Sequence, residues 1–324
     1  MTFVRSAIAA GLALGFASAA LAAEPDACKT PRFSDIGWTD VTATTGLATR
    51  VLRGLGYTPK AEVLSLPVTY TAMKNKDIDV FLGNWMPSQD GDRKPYIEDK
   101  SVVETNMNLK GAKYTLAVPK YLHDAGLKDF KDIKKFKDQL KGKIYGIEPG
   151  NDGNRLVTEM IHDEAKWGLK GFEVVESSEQ GMLAEVERAS KKKEPILFLG
   201  WAPHPMNSKY DMQYLSGGDD VFGPDFGGAN VFTNVRTGWV EQCPNAGKLV
   251  TQLVFDLKME NEVMGKILDD GMEGEKAAES WLKANPAVLD KWLAGVTTFD
   301  GKPGLEAVKK SLGLCNLLRR APPR

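Results

Sequence analysis

Val80–Gln89 reads VFLGNWMPSQ, and Ile196–Pro205 reads ILFLGWAPHP. Each is a short apolar strand that runs into a glycine, a tryptophan (Trp85 and Trp201) and a proline. Glycine and proline mark the place where a chain leaves its strand for a surface loop. The largest apolar side chain thus sits where a loop begins, twice, in otherwise unrelated surroundings.

Working outward from these two endings, strand-like and helix-like segments alternate. RFSDIGW begins with a strand, VTATTGLATRVLRGLGY reads as a helix closing near Gly54 and Gly56, AEVLSLPV as a second strand, TYTAMKNK as a short helix and IDVFLGNW as a third strand. VVETNMNL and KYTLAVP read as two further strands with polar residues between them. A second unit repeats the alternation through helical FKDIKKFKDQL, strand KIYGIEPG, helical NRLVTEMIHDEAKWGL, strand FEVVES, helical EQGMLAEVERASKKKE and strand ILFLGW. A loop rich in Gly and Asp leads to a last strand, ANVFTNVR, and the remainder is helical. This pattern predicts an α/β protein with a mainly parallel sheet and helices on both faces. It is expected to form two lobes with a ligand cleft between them. Residues 24–111 and 222–324 form the first lobe and residues 112–221 the second. The chain crosses near Leu109–Ala112 and again near Gly217–Gly228.

The chain has 324 residues, 42% apolar and 26% charged, with a formal net charge of −1. That is enough for two domains, and no basic stripe points to nucleic acid. Residues 1–22 carry one cation (Arg5), an alanine-rich apolar run and the small-residue ending Ala20-Leu21-Ala22. They read as a secretory signal peptide, which places the mature protein in a bacterial periplasm. That compartment is oxidising. Of the three cysteines, Cys28 and Cys243 lie in turn-like polar stretches (PDACK and EQCPN) and are the expected disulfide; Cys315 is left in the tail. Their spacing fits no zinc site, and no metal or cofactor is expected.

In open α/β sheets, ligands bind beyond the C-terminal ends of the strands. The residues placed there are Trp38 and Asp40 after the first strand, Trp85 after the third, Tyr114 at the first crossing, Asn151 after KIYGIE and Trp201 after ILFLG. Gly83 and Pro87 are expected to fix the turn that aims Trp85. A tryptophan at one strand end is commonly packing; three, joined by a tyrosine, converge on a cleft. Several rings around one cavity suit a quaternary ammonium. Its methyl groups donate no conventional hydrogen bond, and the negative ring faces attract its diffuse charge by about 0.5–2 kcal/mol each. Asp40 and Asn151 each open a helix and could equally be caps. His204, between two prolines, is read as stiffening its loop. Trp167, Trp281 and Trp292 fall in helical patterns as core, and Trp239 as packing near Cys243.

No Gly-x-Ser-x-Gly elbow, Walker loop, HExxH or paired-cysteine motif is present,. GNDGN could face a phosphate at a helix N-terminus but lacks the lysine of a P-loop. Ser88 with His204 would be the nucleophile and base of a secreted hydrolase, and they carry no recognisable motif. A non-enzymatic binder is the expectation.

DIGWTD, LPVTYTAMKNKDIDVFLGNWMP, GAKYTLAVP, YGIEPGNDGN and LFLGWAPHPMN, in this order, resemble the glycine betaine/choline/proline-betaine substrate-binding family of bacterial ABC importers. The resemblance runs from about Cys28 to Leu314. It implies a two-lobed, type II-like Venus flytrap. Trp38, Trp85, Tyr114 and Trp201 match the aromatic box of the family's choline-binding member, and Asp40 and Asn151 match its polar groups for the choline hydroxyl. The same member has a disulfide matching Cys28 and Cys243. The resemblance thus implies a choline receptor, expected to be monomeric, that docks on a membrane permease. Preference for glycine betaine or acetylcholine, a role as a sensor, or a secreted choline-ester hydrolase using Ser88 and His204, are the alternatives. Asp40 would repel the carboxylate of glycine betaine, and Asp40→Asn should narrow the preference for choline.

Overall fold

The computed structural model describes residues 23–314. The expected signal peptide over 1–22 and Cys315 therefore lie outside the described residues. Among the described residues nine strands make one sheet: β1 (Arg32–Asp35), β2 (Lys60–Val63), β3 (Val80–Met86), β4 (Val102–Pro119), β5 (Lys143–Tyr145), β6 (Glu173–Val175), β7 (Phe198–Ala202), β8 (Met212–Tyr214) and β9 (Gly228–Arg236). The order is β2-β1-β3-β9-β4-β7-β5-β6, with β8 also paired to β4.

The two ends of this sheet repeat one design. β1 pairs in parallel with β2 and β3, and β5 pairs in parallel with β6 and β7. In each unit the first strand lies in the middle and the third strand faces the centre of the molecule. There β3 meets β9 and β7 meets β4, both antiparallel. The sheet is thus mixed, not mainly parallel. The strand-to-helix alternation of each unit is read correctly, but β4 and β9, which bridge the units, are separated in the chain by the whole β5–β8 segment, so no single strand–helix–strand connection reveals their direction.

β3 is buried along almost its whole length, which explains its near-continuous apolar run,. β2, with sequence KAEV, is exposed throughout and protects an edge with polar residues,. The two strands expected over 102–119 are one 18-residue strand. Register shifts against β9 between Glu104 and Ala112 account for the polar break in its sequence,. At Lys113 the strand passes from β9 to β7 as partner.

The helix Thr39–Gly54 sits between the sheet and the late helices Leu257–Leu268 and Gly274–Ala284, and is buried on most of its surface. Cys28 and Cys243 form the disulfide, with Cα atoms 5.5 Å apart, inside the usual range,. Beside it the Glu24 carboxylate accepts from the backbone N–H groups of Asn245 and Ala246 and from the Tyr57 hydroxyl, fastening the start of the described chain. Trp239, Trp281 and Trp292 are buried as expected. Trp167 is only half-buried, with its ring against Phe130. No helix among the described residues is long and apolar enough to cross a membrane.

Candidate ligand site

Trp85 and Trp201 are the penultimate residues of β3 and β7, so the two sequence endings occupy equivalent places in the two units. The peptide bonds Met86–Pro87 and Ala202–Pro203 that follow are both cis. Trp85 belongs to the strand itself, and the strand's pleat directs its ring. The expected turn at Gly83 is absent. Gly83 instead allows helix Thr39–Gly54 to approach β3: a Cβ there would stand 2.5 Å from Val41 Cγ2.

The remaining groups come from the first strands and from the centre. Trp38 occupies the N-cap position of helix Thr39–Gly54, and Asp40 lies in its first turn. Asn151 caps helix Asp152–His162 by accepting from Asn154 N at 3.0 Å. Tyr114 projects from β4, directly opposite Trp201 in the ladder. Trp38, Asp40, Trp85, Tyr114, Asn151 and Trp201 all line one cavity. Ile147, unforeseen in the sequence, completes its wall. It follows β5 closely, so the strand-end rule that found Asn151 could have found it too.

The rings meet edge to face. Trp85 and Tyr114 have centroids 6.1 Å apart, and Tyr114 and Trp201 6.2 Å apart, with interplanar angles of 63° and 82°. Such packing places the negative face of one ring against the positive edge of the next. Tyr114 is further supported by Phe222, 5.8 Å away. Its hydroxyl donates to Asn151 Oδ1 at 3.0 Å, over the first turn of helix Asp152–His162. Gly153 makes room for this: a Cβ there would collide with the Tyr114 hydroxyl.

Asp40 has two jobs divided between its oxygens. Oδ2 accepts from the Trp85 indole at 2.9 Å. Oδ1 is buried and has no protein partner. A buried carboxylate oxygen without a donor is costly, and it marks a place where a ligand can supply one. Burial pushes the Asp40 carboxyl up to about 7, and the negative charge of Glu179 adds to this, against the Trp85 hydrogen bond. Glu148 and Asp152 are also raised to about 7, chiefly by burial. No basic side chain lines the cavity among the described residues. The site therefore gathers acidic groups around an aromatic space and supplies no counter-charge of its own.

Asn151 is both a helix cap and a cavity wall, so its two readings hold together. Its oxygen is already shared by Tyr114 and Asn154, and its amide nitrogen donates to Asp152 Oδ1 at 3.1 Å. Asp40 is not the cap of its helix, because Trp38 holds that position. His204 does more than stiffen a loop: it is buried, its ring lies 5.0 Å from Trp201, and Nε2 is 3.2 Å from Glu179 Oε1. Ser88 donates its hydroxyl to Trp85 O, whereas His204 is engaged with Glu179 and Met206.

Across the cleft, Trp38 Nε1 donates to Glu148 Oε1 at 2.7 Å, and Arg155 binds Ser88 O and Asp92 at 2.9 Å. These bonds join the β1–β3 unit to the β5–β7 unit, so the structure is the closed form.

Among solved structures, the chain is similar to an ABC-transporter choline binding protein in complex with choline. They share 62% identity, with 90% of this chain and 100% of that one covered and a TM-score of 0.88. An ABC-transporter choline binding protein in an unliganded semi-closed conformation gives 62% identity over 89% of this chain and 100% of that one, with a TM-score of 0.82. Lactococcal OpuAC, closed on glycine betaine, is 27% identical over 81% of this chain and 98% of its own, with a TM-score of 0.73. These likenesses agree with the two-lobed architecture read from the sheet. The model of the substrate binding domain of ABC-type glycine betaine transport systems matches residues 29–284, and the chain belongs to that family.

Proposed function

We propose that this protein captures choline between its lobes and delivers it to the membrane permease of an ABC importer. The observation that carries the reading is the unpartnered Asp40 Oδ1 inside a cavity walled by Trp38, Trp85, Tyr114 and Trp201. The trimethylammonium group lies among the rings, and the choline hydroxyl donates to Asp40. Asn151 orients the far wall through Tyr114, and its remaining amide hydrogen can face the ligand. Supporting this is the 62% identity with a protein solved with choline bound.

Glycine betaine is the second reading, favoured by the family's description and by the likeness to OpuAC. Its carboxylate would face Asp40 in a poorly solvated space, where like charges repel strongly, and no cation on the wall offsets this. Acetylcholine offers no hydroxyl to Asp40.

The protein is a receptor and carries out no chemical step on its ligand. It works as a monomer in the periplasm, after removal of residues 1–22. Residues 24–111 and 222–324 form one lobe and 112–221 the other, a division supported by the change of partner along β4. Delivery to a permease, as opposed to presentation to a signalling protein, follows the family's transport role. Fluorescence titration with choline, acetylcholine and glycine betaine tests the reading, since the Trp85 and Trp201 indoles lie in the cavity wall. Saturable quenching by choline at the lowest concentration supports it; tighter binding of glycine betaine overturns it.

A further inference from the structure

We infer that Glu179 is a closure latch: a carboxylate carried by one lobe that caps the helix bearing Trp38 and Asp40 on the other. Helix Thr39–Gly54 has no side-chain cap of its own, because its N-cap residue is Trp38. The first N–H groups of a helix need acceptors. Here Glu179, 140 residues further along the chain, provides one: its Oε2 accepts from Thr39 N at 2.9 Å, and its Oε1 from the Thr39 hydroxyl. Glu179 is held for this task in the first turn of helix Glu179–Lys192, whose own cap is Ser178.

His204 fixes the carboxylate from the other side. Its Nδ1 accepts from Met206 N at 2.9 Å, so the ring hydrogen sits on Nε2 and is donated to Glu179 Oε1 at 3.2 Å,. The same ring packs on Trp201. A continuous path thus runs from one wall of the cavity to the other: Trp201, His204, Glu179, Thr39, then Trp38 and Asp40. Both Glu179 and His204 are almost completely buried, at 0% and 1% side-chain exposure. When the lobes part, the Thr39 donors and the carboxylate exchange these bonds for water. Glu179 is therefore a positioning residue: it acts on the ligand through the helix it caps.

The inference rests on the choline reading for its ligand but not for its geometry, and the test separates the two. Choline binding is followed by calorimetry and stopped-flow fluorescence in the wild type, Glu179→Ala and Thr39→Val. Glu179→Ala is expected to weaken binding by on the order of tenfold, and Thr39→Val by about threefold, mainly through faster release. A residue needed only for folding would lower the melting temperature of the unliganded protein without a selective change in release. Release from Glu179→Ala at the wild-type rate overturns the latch. Should the wild type fail to bind choline, the ligand reading falls and the latch is judged by lobe distance alone. Spin labels at K131C and K258C, in a C315S background, report that distance in the unliganded chain. Glu179→Ala should shift it toward longer values, and an unchanged distribution overturns the latch.

Discussion

The β1–β3 and β5–β7 units share one topology and place a tryptophan at the same point of their third strands, yet they furnish the cavity differently. Trp85 is tied by its indole N–H to a carboxylate, Asp40, which keeps a second oxygen for the cavity. Trp201 is held by rings, between Tyr114 and His204. The first unit combines a wall with a charge. The second combines a wall with the machinery of closure, through His204 and Glu179. A repeated scaffold has thus been specialised by what stands next to each tryptophan.

The comparison is broken most severely at Trp85. Trp85→Ala removes a ring and leaves both Asp40 oxygens without a protein donor, so choline affinity should fall on the order of 100-fold by calorimetry. Trp201→Ala loses one ring with no charged partner, and about 30-fold is expected. Equal losses would mean that the Asp40 tether adds nothing.

Asp40→Asn separates the charge from the wall. It should cost choline about tenfold and glycine betaine much less, narrowing the preference between them. A variant that keeps the wild-type ratio of the two affinities would remove Asp40 from the account of selectivity.

The acidic surroundings make binding depend on pH. A bound cation favours ionised Asp40, whose carboxyl stands at about 7 in the unliganded closed form. Choline affinity should therefore rise about tenfold from pH 6 to pH 8, with proton release on binding at the lower pH. Calorimetry in buffers of different ionisation enthalpy measures both. Stability of the unliganded protein runs the other way. Asp40, Glu148 and Asp152 have folded-state values raised to about 7, so their contribution is fully present in acid, below their unfolded values. It is lost as pH rises through about 7. Choline should restore part of the melting temperature lost there.

The smallest effect is expected at the seam between the units. Gly153→Ala forces the Tyr114 hydroxyl away from Asn151 and tilts the ring that joins Trp85 to Trp201. About a threefold loss of affinity is expected, recovered in part by Tyr114→Phe in the same chain, which removes the nearer of the two Tyr114 atoms that a Cβ would meet,.

Much of this arrangement was legible in the sequence, because it follows strand periodicity and strand ends. Trp38, Asp40, Trp85, Tyr114, Asn151 and Trp201 were placed by the rule that ligands meet the C-terminal ends of strands, and all six line one cavity. The single long β4 was not legible, since its bulges break the alternation that identifies a strand. The antiparallel centre was hidden for a related reason: local pattern carries no relative direction for strands that pair across distant parts of the chain, as β4 and β9 do. Glu179 was invisible as a cap, because the helix it serves begins 140 residues earlier in the chain. The division of labour within Asp40 likewise arises only in the folded chain, where the Trp85 indole engages one oxygen and leaves the other.

Calorimetry of choline beside its uncharged isostere 3,3-dimethylbutan-1-ol, with glycine betaine as the third ligand, separates recognition of the cation and hydroxyl from recognition of shape. A cavity that recognises a cation among rings, and a hydroxyl at Asp40, should bind choline tightest and the uncharged alcohol at least about 100-fold more weakly. Comparable binding of the alcohol, or tighter binding of glycine betaine than of choline, would contradict it.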